Sequence, residues 1–142
     1  MSDVPLLAVI EDDDAVREAM SELLGVLGYC TRLYSSAEQF LMARDRQAFA
    51  CIITDLRLPG LDGLQLHSEM LARGDAVPFI LVTSYITRPV AARALQAGVR
   101  AILLKPISAA AIIRELTAIL GDGNEAGVQC DATGARGGEI PP

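Results

Sequence analysis

Five short strand-like runs, most of them apolar, recur along the chain, and each is followed by a segment whose apolar residues fall at helical spacing. The runs are Leu6–Ile10, Tyr29–Tyr34, Ala50–Thr54, Pro78–Thr83 and Ala101–Leu104. Between them, Val16, Met20, Leu23, Leu24 and Leu27 mark a first helix from Ala15, which Gly28 stops. Ser35–Ser36 cap a second helix carrying Phe40 and Leu41, and Gly63–Ala72 form a third. Pro89–Ala97 form a fourth, closed by Gly98, and Ser108 caps a fifth over Ala109–Leu120. Continuously apolar strands alternating with amphipathic helices require a parallel sheet covered on both faces. The pattern predicts an α/β fold, a doubly wound five-stranded parallel sheet in the order 2-1-3-4-5 with five helices, flavodoxin-like in outline.

A chain of 142 residues suits one domain, placed here at 1–120. Because 51% of the residues are hydrophobic and tryptophan is absent, the core must be aliphatic. A formal charge of −6 argues against a nucleic-acid-binding surface, which needs clustered Lys and Arg. Cys30, Cys51 and Cys130 show no metal or redox spacing, and Cys30 and Cys51 read as buried thiols. No run reaches membrane-spanning length and the start has no basic leader, so a cytoplasmic protein is expected. Residues 121–142 are rich in Gly and Asp, lack an apolar face and read as a disordered tail.

In doubly wound sheets, ligands bind beyond the carboxyl ends of the strands. The first strand ends in Glu11–Asp12–Asp13, the third in Asp55, the fourth in Thr83–Ser84 and the fifth in Lys105–Pro106. Carboxylates from neighbouring strands repel unless a cation lies between them. Oxygen-only ligands favour a hard ion such as Mg²⁺, with Mn²⁺ as a substitute. Lys105 and Thr83 suit phosphoryl oxygens, and a carboxylate so placed can attack phosphorus to give an acyl phosphate. Asp13 reads instead as helix N-terminal chemistry. His67, on a helical pattern without ligand spacing, reads as a surface or partly packed histidine.

Each residue taken alone has a plainer reading. Acids before a helix cap it, Asp55 can open the turn at Pro59–Gly60, Thr83 is an ordinary strand residue and Lys105 a surface cation. Their joint placement at the strand ends is what these readings leave unexplained. A flavin phosphate needs a loop of backbone N–H groups after the first strand, but "EDDDAV" repels phosphate. An aspartyl-phosphate hydrolase needs a second acid two residues after the nucleophile, and Arg57 stands there.

The stretches "VIEDDDAVR", "IITDLRLPGLDG", "ILVTS" and "LLKPIS" together resemble the receiver domains of two-component response regulators. The CheY-like resemblance extends from Leu6 to Leu120, and "TSYITRPVAARALQAGV" is similar to the nitrogen-fixation regulator branch. It implies Asp55 as phosphoacceptor from a histidine kinase or phosphotransfer protein, with Thr83 and Lys105 contacting the phosphoryl group. Glu11, Asp12, Asp55 and the Arg57 backbone carbonyl would hold the metal, and Lys105–Pro106 would be a cis peptide.

The family's usual aromatic three residues before the lysine is here Ile102. The signal is therefore expected to leave through Thr83, Ser84 and Tyr85, with Tyr85 substituting for that aromatic. Tyr85 and Arg57 are also expected to flank the route of water to the acyl phosphate. The expected output is a switched protein–protein surface on a monomer or weak homodimer, without direct contact to nucleic acid or membrane. The alternatives are a pseudo-receiver binding module and the N-terminal part of a longer transcriptional regulator.

Overall fold

The computed structural model describes residues 5–43 and 49–121. Five strands form one sheet: β1 (Leu6–Ile10), β2 (Cys30–Tyr34), β3 (Cys51–Asp55), β4 (Phe79–Thr83) and β5 (Ala101–Leu104). All pairings are parallel and the order is β2-β1-β3-β4-β5, as the alternating pattern predicts. The helices are α1 (Asp14–Val26), α2 (Ala37–Leu41), α3 (Gly63–Ala72), α4 (Arg88–Ala97) and α5 (Ala109–Leu120).

The apolar runs are uniform because side chains alternate between two buried faces. Ala8, Ile10, Ile52 and Leu81 face a core completed by Phe40, Leu66, Met70 and Ala94 from α2, α3 and α4. Leu7, Val9, Ile53, Ile80 and Val82 face the opposite core, with Met20 and Leu24 of α1 and Ile112 and Leu116 of α5. Each fully buried Leu or Ile in these layers contributes about 1.5–3 kcal/mol relative to exposure. The edge strands are wetter: β2 is half-buried from Arg32 onward, and β5 ends on exposed Leu104.

Helix starts follow the capping residues. Asp13 caps α1 by accepting from the Val16 N–H at 3.0 Å, which is the helix-terminal role its position predicts. Ser36 accepts from Gln39 and Ser108 from Ala111, each at 3.0 Å. Asp62 and Gln65 close a reciprocal capping box at the start of α3. Thr87 caps α4 loosely, accepting from Val90 at 3.4 Å, and Gly98 closes that helix at φ 112°. Within α4 only Ala94 is fully buried, which leaves this helix weakly anchored.

Two expectations need correction. His67 is 5% exposed, not on the surface, and meets Phe79 edge-to-face with ring centroids 4.9 Å apart. Helical spacing alone does not tell a core-facing imidazole from a half-wet one. Cys51 keeps a free thiol whose pKa burial pushes up to about 12. Cys30, by contrast, is disulfide-bonded; it opens β2, which is an edge strand among the described residues. Apart from Gly121, the tail expected at 121–142 lies outside the described residues.

Candidate functional site

Strands β1 and β3 lie side by side where the chain order reverses, with Leu7 opposite Cys51 and Ile10 opposite Thr54. This register brings Glu11 and Asp12, just past β1, beside Asp55, the last residue of β3. One carboxylate oxygen from each of the three lies within 4.8 Å of the others. Glu11 and Asp55 are buried, at 2% and 8% exposure, while Asp12 faces solvent.

Lys105, just past β5, reaches across the sheet end to join them. Its Nζ donates to Glu11 Oε1 and to Asp55 Oδ2, both at 2.9 Å. Two buried carboxylates can share this space because the ammonium lies between them. Burial pushes the Glu11 pKa up, only partly offset by Lys105 and by the Asp13 N–H on Oε2 at 3.1 Å. For Lys105, burial alone would lower the pKa, but the two acids raise it on balance. The ammonium is therefore fixed in its charged form.

The remaining predicted residues frame this centre. Arg57 gives its backbone N–H to Asp55 Oδ1 at 3.1 Å and sends its guanidinium to the Tyr85 carbonyl at 3.2 Å. Thr83 is fully buried at the end of β4, with its hydroxyl donating to the Tyr85 carbonyl at 3.0 Å rather than to the acids. Ser84 and Tyr85 are exposed, the latter at 62%. Ile102 pairs with Leu81 and packs, half-buried, against the core on the α4 side. The Lys105–Pro106 peptide is cis.

Glu38 is part of this frame and carries no sequence signal beyond a first-turn acid. It leaves α2 to accept from the Leu61 N–H at 2.9 Å, a bond that lowers its pKa. A Cβ on Gly60, whose φ is +76°, would stand 2.4 Å from Glu38 Oε2. Glu38 thus ties down the loop that follows Asp55. Arg17 adds a second tether, donating from Nη1 to the Glu11 carbonyl at 2.8 Å. The Glu38–Leu61 contact, 23 residues apart in sequence, leaves no periodic trace.

The donor chemistry fits a hard divalent cation. All three candidate ligands are carboxylate oxygens, and their spread only modestly exceeds what one ion with Mg–O distances of about 2.0–2.1 Å spans. The ammonium of Lys105 already supplies positive charge at this place.

The parallel doubly wound sheet thus gathers three acids and a lysine at its strand ends, with a threonine hydroxyl at the end of β4. The chain belongs to the response regulator receiver domain family of two-component systems, whose family model matches residues 7–117. Domains of this family accept a phosphoryl group and bind a divalent metal, typically Mg²⁺.

The chain is 41% identical over 132 residues to the transcriptional regulatory protein FixJ of Azorhizobium caulinodans, covering 93% of this chain and 63% of that one. It spans 48% of a second FixJ, from Bradyrhizobium diazoefficiens, so these relatives extend well beyond the matched part. Among solved structures, the receiver domain of sensor histidine kinase PA1611 from Pseudomonas aeruginosa superposes with a TM-score of 0.73 at 30% identity. That likeness covers 84% of this chain and 99% of the other, which has a magnesium ion coordinated in its active-site cleft. The crystal structure of FixJ-N matches with a TM-score of 0.74 at 25% identity, covering 89% of this chain and 99% of that one.

Proposed function

We propose that Asp55 is the phosphoacceptor of this domain and that Mg²⁺ bound by Glu11, Asp12, Asp55 and the Arg57 carbonyl is required for its phosphorylation. The observation that carries this reading is Lys105 Nζ, 2.9 Å from both Glu11 and Asp55, with Asp12 alongside at the solvent edge. Asp55 is the carboxylate that ends β3, the strand between β1 and β4. One of its oxygens forms the new P–O bond while the N–P bond of a phosphohistidine on the donor breaks and the imidazole leaves. Lys105 can hold one phosphoryl oxygen by its ammonium, and the Thr83 hydroxyl another, once it turns from Tyr85. The bound cation supplies neutralisation of the charge that gathers on the phosphoryl oxygens. Arg57 two residues after Asp55 provides no carboxylate to activate water, which supports a slow loss of the phosphoryl group.

The donor is proposed to be a histidine kinase or phosphotransfer protein in the cytoplasm. Among the described residues, no helix is long and apolar enough to cross a membrane. Beside Lys105, a cavity of about 520 Å³ lies between α1 and the loop after β5, lined by Val16, Ala19, Met20, Leu23, Pro106 and Ile107. Its apolar walls, next to the Lys105 that bonds Asp55, suit contact with a protein donor. The output is proposed to be a protein–protein surface that changes with the loop from Thr83 to Arg88. The weak anchoring of α4 at Ala94 supports this.

Incubation with acetyl phosphate and Mg²⁺ tests the reading by mass spectrometry. One phosphoryl group is expected, lost with Asp55→Asn and with chelator. Modification mapped to Glu11, Asp12 or a serine would overturn it.

A further inference from the structure

The carbonyl oxygen of Tyr85 has two side-chain donors, one from the end of β4 and one from the loop after β3. The Thr83 hydroxyl stands at 3.0 Å and Arg57 Nη2 at 3.2 Å. The Arg57 guanidinium carbon also lies 5.8 Å from the centroid of the Tyr85 ring, within cation–π range. The backbone N–H of the same arginine is on Asp55 Oδ1 at 3.1 Å. Arg57 therefore joins the carboxylate of β3 to the loop that occupies the Thr83 hydroxyl.

A threonine hydroxyl has one proton to give. It serves either the Tyr85 carbonyl or an oxygen of a phosphoryl group on Asp55, not both. We infer that Arg57 is a positioning residue for this exchange: its guanidinium keeps the Tyr85 carbonyl while the Thr83 hydroxyl turns to the phosphoryl group. The inference rests on Asp55 being the phosphoacceptor. With Arg57 present, the carbonyl loses one of two donors and the loop keeps its tether. Without the guanidinium, Thr83 is the carbonyl's sole side-chain donor among these contacts, so drawing it away costs more. Tyr85 is exposed, so water replaces part of the loss, and the effect is bounded by one net hydrogen bond.

Beryllofluoride, a phosphoryl mimic, is the probe. It is titrated with Mg²⁺ into the wild type, Arg57→Ala, Thr83→Ala and the double variant, followed by NMR chemical shifts, with thermal melts to establish folding. Arg57→Ala is expected to weaken binding about twofold to tenfold, the range of one net hydrogen bond. In the Thr83→Ala background the same substitution is expected to have little further effect, since no hydroxyl remains to exchange. Arg57→Lys, which restores a charged donor, should recover part of the affinity. Thr83→Val serves as the second variant if Thr83→Ala unfolds. Equal losses in both backgrounds would assign Arg57 to general loop support and overturn the inference. Unchanged or tighter binding in Arg57→Ala would overturn it as well. If the wild type itself binds no beryllofluoride, the phosphoacceptor reading fails and takes the inference with it. Binding by the wild type with additive losses sinks the inference alone.

Discussion

Replacing Lys105 by methionine keeps a long, mostly apolar side chain and deletes the ammonium that two carboxylates share. In the native protein that group lies 2.9 Å from Glu11 and from Asp55. The lysine side chain is 21% exposed, against 2% and 9% for its partners. A hydrogen bond to a charged group contributes about 1.5–3 kcal/mol, and removing one partner of a buried ion pair costs about 3–5 kcal/mol. The partial wetting of Lys105 moves the expectation toward the lower end. So do the N–H groups of Asp13 and Arg57, which still serve the stranded acids. A loss of about 2–4 kcal/mol follows. At about 3 °C per kcal/mol for a domain of this size, Lys105→Met should melt about 6–12 °C below the wild type in chelator.

Magnesium should then return more to the variant than to the wild type. A ligand bound only by the folded form stabilises by RT ln(1 + [L]/Kd), and the variant has lost the cation that competes for the same acids. Thermal unfolding followed by circular dichroism, in chelator and in excess Mg²⁺, measures both effects. Two results would refute the reasoning. A chelated variant melting within about 2 °C of the wild type would show that the bridging ammonium stabilises little. An equal magnesium gain in both proteins would show that ammonium and metal do not compete for the same carboxylates.

Two further expectations concern groups beyond the acid cluster. Burial holds the His67 pKa below its ordinary value, so the unfolded chain binds the proton more readily. The stability this contributes is complete above the unfolded value of about 6.5 and is lost as pH falls below it. His67→Gln should therefore remove a downward slope in melting temperature on acidification, and an unchanged difference between the two proteins across that window would contradict this. Glu11 titrates with the opposite sign, its raised pKa making stability fall as pH rises through the folded value, but it is common to both proteins. Gly63→Ala would place a Cβ 2.6 Å from the Asp55 carbonyl and 3.1 Å from Leu56 Cα, backbone atoms that cannot swing aside. A cost of about 1–3 kcal/mol is expected, read as a lower melting temperature together with slower acetyl phosphate labelling, since the shift falls on Asp55 itself.

What the sequence made legible is what local chemistry and alternation dictate. Uniformly apolar runs announced a sheet buried on both faces, and Ser36, Gly98 and Ser108 marked helix ends within a residue. Glu11, Asp12, Asp55 and Lys105 could be placed together because a parallel sheet sends every strand end to one edge. Burial of His67 depended on Phe79 of β4 packing edge-to-face with it, a contact made only in the folded chain. The Glu38 tether depended on α2 standing over a loop 23 residues further along the chain. The orientation of the Thr83 hydroxyl was equally hidden, since a threonine at a strand end has the same sequence signature whichever acceptor it serves.

Ile102 bears most directly on how a signal would leave the site. It pairs with Leu81 and, like Ile86 and Val90, packs against the core that α4 helps to cover, so its side chain is committed to packing. A β-branched aliphatic has neither the ring nor the hydroxyl with which an aromatic would change places between core and solvent. The aromatic near this path is Tyr85, and its backbone is held from both sides by Thr83 and Arg57. Two residues beyond it, Thr87 caps α4 through a long 3.4 Å bond, and α4 itself buries only Ala94 fully. A pull on Thr83 thus meets little resistance from Tyr85 to the start of α4, and much more at β5, where Ile102 is packed. Interactions at Asp55 shift this equilibrium only if they differ between the two arrangements. The hydroxyl of Thr83 is the group whose partner would change. The route through the loop after β4 is therefore the one that these contacts favour. It predicts that beryllofluoride perturbs amide exchange from Ser84 into the first turn of α4 while leaving Ile102 little affected. A response centred on β5, with the loop after β4 silent, would reverse that assignment.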